Sequence, residues 1–222
     1  MTMTEAEWLH YPYPEPMLQF LGSRVTERKL RLFAAACCRR VWHLLTDERS
    51  RQAVEVAERY GDGFASRSER KAAAEAAHAA RGNGQAAVAA SFAVQKATRD
   101  LSIDIMNIAG DTATLVVYAT EQANGTAREL EYAVQATLIR DLFGNPFSPA
   151  PTIAPAALDW NDQMIVRVAQ GIYDSRDFNR LPLLHVALSR AGCDDEAILS
   201  HCRSDGPHVR GCWVIDLILG KE

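Results

Sequence analysis

The stretch TERKLRLFAAACCRRVWHLL, residues 26–45, carries the clearest periodic pattern in the chain. Its apolar side chains recur at spacings of three and four residues, and they are Leu30, Phe33, Ala34, Cys37, Val41, Leu44 and Leu45. This spacing places them on one face of an α-helix, and Thr26 is a suitable N-cap residue. The sequence therefore predicts an amphipathic helix from about 26 to 45 with one buried face.

Similar helical patterns recur on both sides of this stretch, and glycine, asparagine or proline separates them. Three S/T-x-x-E motifs begin at Thr4, Ser66 and Thr126, and they match the capping box that opens helices. The β-branched run 114–118 would suit a strand by itself, but its flanking residues favour a buried helix. We expect an all-α fold, an irregular bundle of about nine or ten helices.

Residues 145–155, NPFSPAPTIAP, form the strongest break in the chain, with four prolines in eleven residues. The segment is too short and too apolar for a free linker, so we predict an ordered Pro-rich strap. The predicted organisation is an N-terminal helical bundle over 1–144, the strap, and a C-terminal helical subdomain over 156–222. We expect this subdomain to pack on the bundle as a helical cap.

Composition limits the classes of function. The chain has 222 residues, of which 48% are hydrophobic and 23% charged, and such fractions are typical of ordinary globular proteins. The net charge of −4 makes nucleic acid an unlikely partner for the surface as a whole and leaves room only for a local basic face. No apolar run approaches the ~20 residues of a membrane span, and the N-terminus lacks the features of a secretory signal. We expect a cytoplasmic protein that does not enter the membrane, with five reduced cysteines.

Cysteine and histidine concentrate near the C-terminus, where the candidate metal ligands are Cys193, His201, Cys202, His208 and Cys212. Thiolates and imidazoles are ligands that zinc accepts in tetrahedral sites. Adjacent side chains on a helix diverge by about 100°, so we expect three or four of the five to bind together. The spacing lacks the C-x2-C pair that is typical of zinc sites. Buried thiols and a helix-capping histidine are the alternative, and no other cofactor is indicated.

Residues 24–40 contain six basic residues and one acidic residue. The candidate partner-binding side chains are Arg28, Lys29, Arg31, Arg39 and Arg40. They could bind the phosphates of a nucleic acid or an acidic protein partner. The alternative is a set of ion pairs with the acidic helix that the sequence predicts over 47–60.

Five stretches are distinctive as sequence: MLQFL at 17–21, the run from 26 to 63 that begins TERKL and ends YGDG, LIRDLFGNPF at 138–147, LPLLHVALSRAGC at 181–193 and HCRSDGPHVRGCWVIDLILGK at 201–221. Together they resemble a family of uncharacterised planctomycete-type bacterial proteins with no established activity. The resemblance implies a bacterial, cytosolic setting and no particular chemistry. Residues 64–125 lie outside it.

We expect a non-enzymatic interaction or scaffold protein that presents a helical surface to an unknown protein partner. One alternative is a zinc-binding or Cys/His-dependent domain that uses residues 193–216. A second is nucleic-acid binding through the basic helix 24–40. We assign no catalytic residue, because His208, Cys212 and Asp216 in a row on one helix would have no oxyanion donors aimed at a substrate.

Overall fold

The structure is a computed structural model that describes residues 2–80, 94, 97, 105–125 and 127–221. This part of the chain contains twelve α-helices and no strand, so the prediction of an all-α fold is confirmed. The helices are α1 Glu5–His10, α2 Pro14–Leu21, α3 Glu27–Arg40, α4 Glu48–Gly61, α5 Arg67–Ala79, α6 Ile105–Asn124, α7 Arg128–Phe143, α8 Pro155–Leu158, α9 Trp160–Ser175, α10 Leu181–Arg190, α11 Glu196–Arg203 and α12 Trp213–Leu219. None of these helices has both the length and the hydropathy of a membrane span.

The chain divides into two compact units, Met1–Ile139 and Arg140–Glu222. The division falls inside α7, so the last four residues of that helix belong to the second unit. The second unit also contains the stretch predicted as a Pro-rich strap. Residues 144–154 there form no helix, and α8 begins at Pro155.

Helix α3 organises the first unit, because it packs against both α4 and α6. Its predicted stripe is buried except for Leu44, which is half-buried, and Leu32, Ala35, Ala36 and Cys38 are buried as well. Because both α4 and α6 cover α3, residues outside the predicted stripe are buried too. The helix ends at Arg40, earlier than predicted, because Val41 leaves helical geometry and residues 42–44 form a 3₁₀ turn.

Two of the three predicted capping boxes are confirmed. The Thr4 hydroxyl accepts from the Glu7 N–H at 3.2 Å, and the Glu7 carboxylate accepts from the Thr4 N–H at 2.7 Å. Ser66 and Glu69 make the same reciprocal pair at the start of α5. The third motif includes Thr126, which lies outside the described residues.

The second unit has its own helical core, which includes Ile165, Ala169, Ile172, Leu184, Leu188, Ile198, Cys202, Val214 and Ile215. Residues 161–163 near the start of α9 adopt left-handed backbone with φ of 49–57°. The last helix begins at Trp213, so His208 and Cys212 lie in the loop before it and not, as expected from the sequence, in a row with Asp216 on one helix. This loop positions the candidate site.

Candidate metal centre

Four side chains of the second unit converge on one buried point. They are Asp141, His201, His208 and Cys212, and one ligand atom from each lies within 4.8 Å of all the others. Asp141 is in the last turn of α7, and His201 is in the last turn of α11. The loop after α11 brings His208 back over His201, with ring centroids 4.8 Å apart. Cys212 ends that loop at the N-cap position of α12.

Asp141 is the centre of the hydrogen bonding in this group. Its Oδ1 atom lies 2.6 Å from His208 Nδ1 and 3.2 Å from His201 Nε2. Its Oδ2 atom accepts from the backbone N–H of Val209 at 2.9 Å. Burial raises the pKa of Asp141, but the hydrogen bonds from the two imidazoles outweigh burial and hold the pKa below its ordinary value. The carboxyl group is therefore ionised at neutral pH.

His208 is the cation that balances Asp141. While Nδ1 donates to Asp141, Nε2 lies 3.1 Å from the Ser204 carbonyl oxygen and 3.2 Å from the Ser204 hydroxyl. A carbonyl only accepts, so a proton on Nε2 completes this arrangement. Burial lowers the pKa of His208, but the Asp141 carboxylate raises it by more, and the net pKa lies above its ordinary value. The two residues form a buried ion pair.

The hydrogen-bond partners of His201 place its ring proton on Nε2. The indole N–H of Trp213 donates to Nδ1, which must therefore be unprotonated. Nε2 faces both Cys212 Sγ at 3.1 Å and Asp141 Oδ1 at 3.2 Å. The pKa of Cys212 lies well above its ordinary value, mainly because the thiol is buried and also because Asp141 is negative. With its pKa raised in this way, Cys212 is a neutral thiol.

The donor set is one that a metal ion accepts after a small rearrangement. Oxygen, imidazole nitrogen and sulfur ligands lie at about 2.0–2.3 Å from tetrahedral zinc, so two ligand atoms are about 3.3–3.8 Å apart. Asp141 Oδ1 and His208 Nδ1 are 2.6 Å apart, which is closer than two ligands of one zinc ion. Other ligand atoms of the group are up to 4.8 Å apart, which is farther than two such ligands. Shifts of about 1 Å would convert the hydrogen-bonded group into a coordination sphere. This buried group could therefore hold a metal ion.

Three of the five predicted ligands belong to this group, and two do not. Cys202 lies in the helical core of the second unit, and Cys193 packs against the same core. Neither is part of the only metal-ligand group found among the described residues. Asp141 replaces them, and sequence reasoning missed it because it lies 67 residues before His208. No local spacing connects the two positions.

The predicted partner-binding surface on α3 is largely neutralised within the first unit. Four of its five basic residues bind carboxylates, in the pairs Arg28–Asp62, Arg31–Glu27, Arg39–Glu58 and Arg40–Glu131. Arg31 is only 1% exposed, so it is not part of a surface. The alternative of pairing with the next helix is confirmed for Arg39, whose partner Glu58 lies on α4. Little positive charge is left on α3 for phosphate groups.

Comparisons of the chain with protein-family models, with curated proteins and with solved structures give no match.

Proposed function

We propose that the second unit binds a zinc ion through Asp141, His201, His208 and Cys212, and that the ion is structural in a non-enzymatic protein. The observation that carries this proposal is the convergence of one carboxylate, two imidazoles and one thiol within 4.8 Å. Magnesium and calcium prefer sites built entirely from oxygen ligands. Imidazole and thiolate together favour zinc.

The enclosure of the group supports a structural role over a catalytic one. A catalytic zinc keeps one coordination position open to water or substrate, whereas a structural zinc has four protein ligands. The side chains of Asp141, His208 and His201 are 3%, 7% and 14% exposed, and Cys212 is fully buried. An ion bound there would join the end of α7, the end of α11 and the loop before α12.

The test uses cobalt as a spectroscopic substitute for zinc in the full-length protein. We expect one equivalent of Co²⁺ to produce the strong visible bands of a tetrahedral site and a sulfur-to-cobalt charge-transfer band. Cys212→Ala should abolish the charge-transfer band. Cys202→Ala is the matched control, since Cys202 is equally buried but lies outside the group. It should retain the band.

Two results would overturn the metal site. One is the absence of stoichiometric cobalt or zinc binding by the wild-type protein at micromolar metal. The other is a charge-transfer band that persists in Cys212→Ala. In either case the group would serve as a hydrogen-bonded network that ties α7, α11 and the loop together.

A second candidate function is the presentation of a helical surface to a protein partner. The observation that favours it is an apolar pair on α10, where Leu183 is 57% exposed and Val186 is 45% exposed. Residues three apart share one face of a helix, so the two side chains form one patch.

We expect the partner to present an apolar surface, and a second copy of the chain is the first partner to test. Sedimentation of wild type and of Leu183→Glu/Val186→Glu would show an oligomer and a monomer, respectively; a monomeric wild type would remove self-association.

A further inference from the structure

The first unit contains a cavity of about 220 Å³ that the proposed zinc site does not involve. Its walls come from the start of α2, from Gly110, Ala113 and Thr114 of α6 and from Tyr132 of α7. Binding sites for drug-sized ligands are usually about 300–1,000 Å³, so this cavity suits a small head group or the end of one side chain.

Two tyrosine rings form a corner in this cavity. The centroids of Tyr13 and Tyr132 are 5.7 Å apart, and the ring planes meet at 63°. Tyr11 supports Tyr13 from outside in an edge contact, with centroids 5.8 Å apart. The face of an aromatic ring carries negative electrostatic potential, so two rings at a steep angle can both attract one cation.

The charge of the lining also favours a cation. Among the described residues that line the cavity, Glu15 is the one charged residue, and none of them is a lysine, arginine or histidine. Gln19 donates a hydrogen bond to the Glu15 carboxylate at 3.2 Å and so orients it. A helix start normally attracts anions through its free N–H groups. Here Pro14 and Pro16 remove two of those N–H groups from α2, which weakens that attraction.

We propose that this cavity binds an alkylated ammonium group, with the cation against Tyr13 and Tyr132 and beside Glu15. The group belongs either to a free choline-like molecule or to a methylated lysine side chain. Both sources present the same cation: a positive charge spread over methyl groups, which is weakly hydrated and is attracted to aromatic faces. The lining provides the apolar walls, the ring faces and the counter-charge that such a group requires.

The test compares choline with its neutral isostere 3,3-dimethylbutan-1-ol, each titrated into the full-length protein and followed by NMR. We expect choline to bind with a millimolar dissociation constant and to shift the ring signals of Tyr13 and Tyr132. The neutral alcohol should bind at least several-fold more weakly. A trimethyllysine peptide and its unmodified form make up the second arm; preference for the peptide over choline would identify a protein side chain as the source.

Variants locate the binding site. Tyr13→Leu and Tyr132→Leu should each weaken choline binding about two- to fivefold, since a cation–π contact at an exposed site contributes about that factor. Glu15→Gln should weaken it most at low salt. Tyr118→Leu is the control, because Tyr118 is 41% exposed, like Tyr13 at 42%, but does not line the cavity. The proposal would be overturned if the neutral alcohol bound as tightly as choline, or if choline binding did not saturate. It would also be overturned if Tyr118→Leu weakened choline binding as much as the two cavity variants do.

Discussion

The indole N–H of Trp213 donates a hydrogen bond to His201 Nδ1 across 3.0 Å. A histidine that binds zinc through one nitrogen usually donates a hydrogen bond from the other nitrogen. Here the second nitrogen of His201 faces a donor, not an acceptor. Trp213 therefore stabilises the form of the group that holds a proton on His201 Nε2, and a metal ion must displace that proton.

Replacing Trp213 by phenylalanine should strengthen zinc binding. The change removes the donor to His201 Nδ1, and one hydrogen bond contributes about 0.5–1.5 kcal/mol. We expect zinc affinity to rise about two- to tenfold, measured by competition with a chromophoric chelator. ¹⁵N NMR of the metal-free protein should show His201 protonated on Nε2 in wild type and a tautomer mixture in the variant. Trp160→Phe, on α9 and outside the group, should change neither; weaker zinc binding in Trp213→Phe would contradict this account.

Metal-free protein should lose stability as pH rises above neutrality. The pKa of His208 is raised on folding, so its stabilising contribution is complete below its ordinary value of 6.5 and is lost as pH rises through the higher folded pKa. The pKa of Asp141 is lowered, so its contribution is lost only in acid, below its ordinary value of 3.8. Urea unfolding with a chelator present should show a free energy of unfolding that falls as pH rises above 6.5 and through the higher folded pKa of His208.

His208→Ala should remove most of that pH dependence and lower the free energy of unfolding by about 3–5 kcal/mol at pH 6, because it leaves the buried Asp141 carboxylate without its cation. His10→Gln provides the control, since His10 is exposed at the end of α1. In this control variant the free energy of unfolding should depend on pH as it does in wild type. A flat profile in wild type would show that the ion pair does not contribute to stability.

Only one cysteine should react rapidly with a thiol reagent in the native protein. Burial raises the pKa of Cys202 to about 12, and it also raises the pKa of Cys37, Cys38 and Cys212 well above the ordinary value of a thiol. Cys193 is partly exposed. We expect one fast equivalent of Ellman's reagent at pH 8 and five equivalents after unfolding. Cys193→Ser should abolish the fast phase, and a second fast thiol in wild type would show that one of the buried cysteines is accessible.

In the first unit, Glu131→Gln should be strongly destabilising. Glu131 is 1% exposed and accepts from both Nε and Nη2 of Arg40 at 2.8 Å. Removal of its charge leaves the Arg40 guanidinium, whose side chain is 34% exposed, without its anion, and loss of hydrogen bonding to a charged group costs about 1.5–3 kcal/mol. Glu129→Gln, an exposed acid of the same helix, should change the free energy of urea unfolding by about 0.5 kcal/mol or less. Equal effects of the two substitutions would show that the ion pair is not the cause.

Local patterns in the sequence predicted most of the helices, because helix formation depends on spacing and capping within a few residues. The run 114–118 was correctly assigned to a helix, since its flanks outweighed its β-branched residues. The residues at which the helices begin and end were less predictable. The last helix starts at Trp213 because the backbone of the preceding loop turns at Gly211, where φ is 92°. The left-handed residues 161–163 follow no local rule for non-glycine residues.

The candidate site could be predicted only in part, and for a similar reason. Residue type was enough to select His201, His208 and Cys212, since few side chains have their chemistry. Residue type does not single out Asp141, because aspartates are common. Tertiary packing alone brings this aspartate to the two histidines. The same limit applies to Glu131, which lies 91 residues from Arg40. Long-range pairs of ordinary residues carry no pattern in a single sequence.

The position of Asp141 has a consequence for how the chain is made. The ribosome adds Asp141 to the growing chain 67 residues before it adds His208. At a synthesis rate of about 5–20 residues per second, His208 is therefore added several seconds after Asp141. A fragment that starts after the proline-rich segment would contain both histidines and the thiol but not the anion that joins them. Any recombinant C-terminal piece intended to fold by itself should therefore begin no later than Arg140.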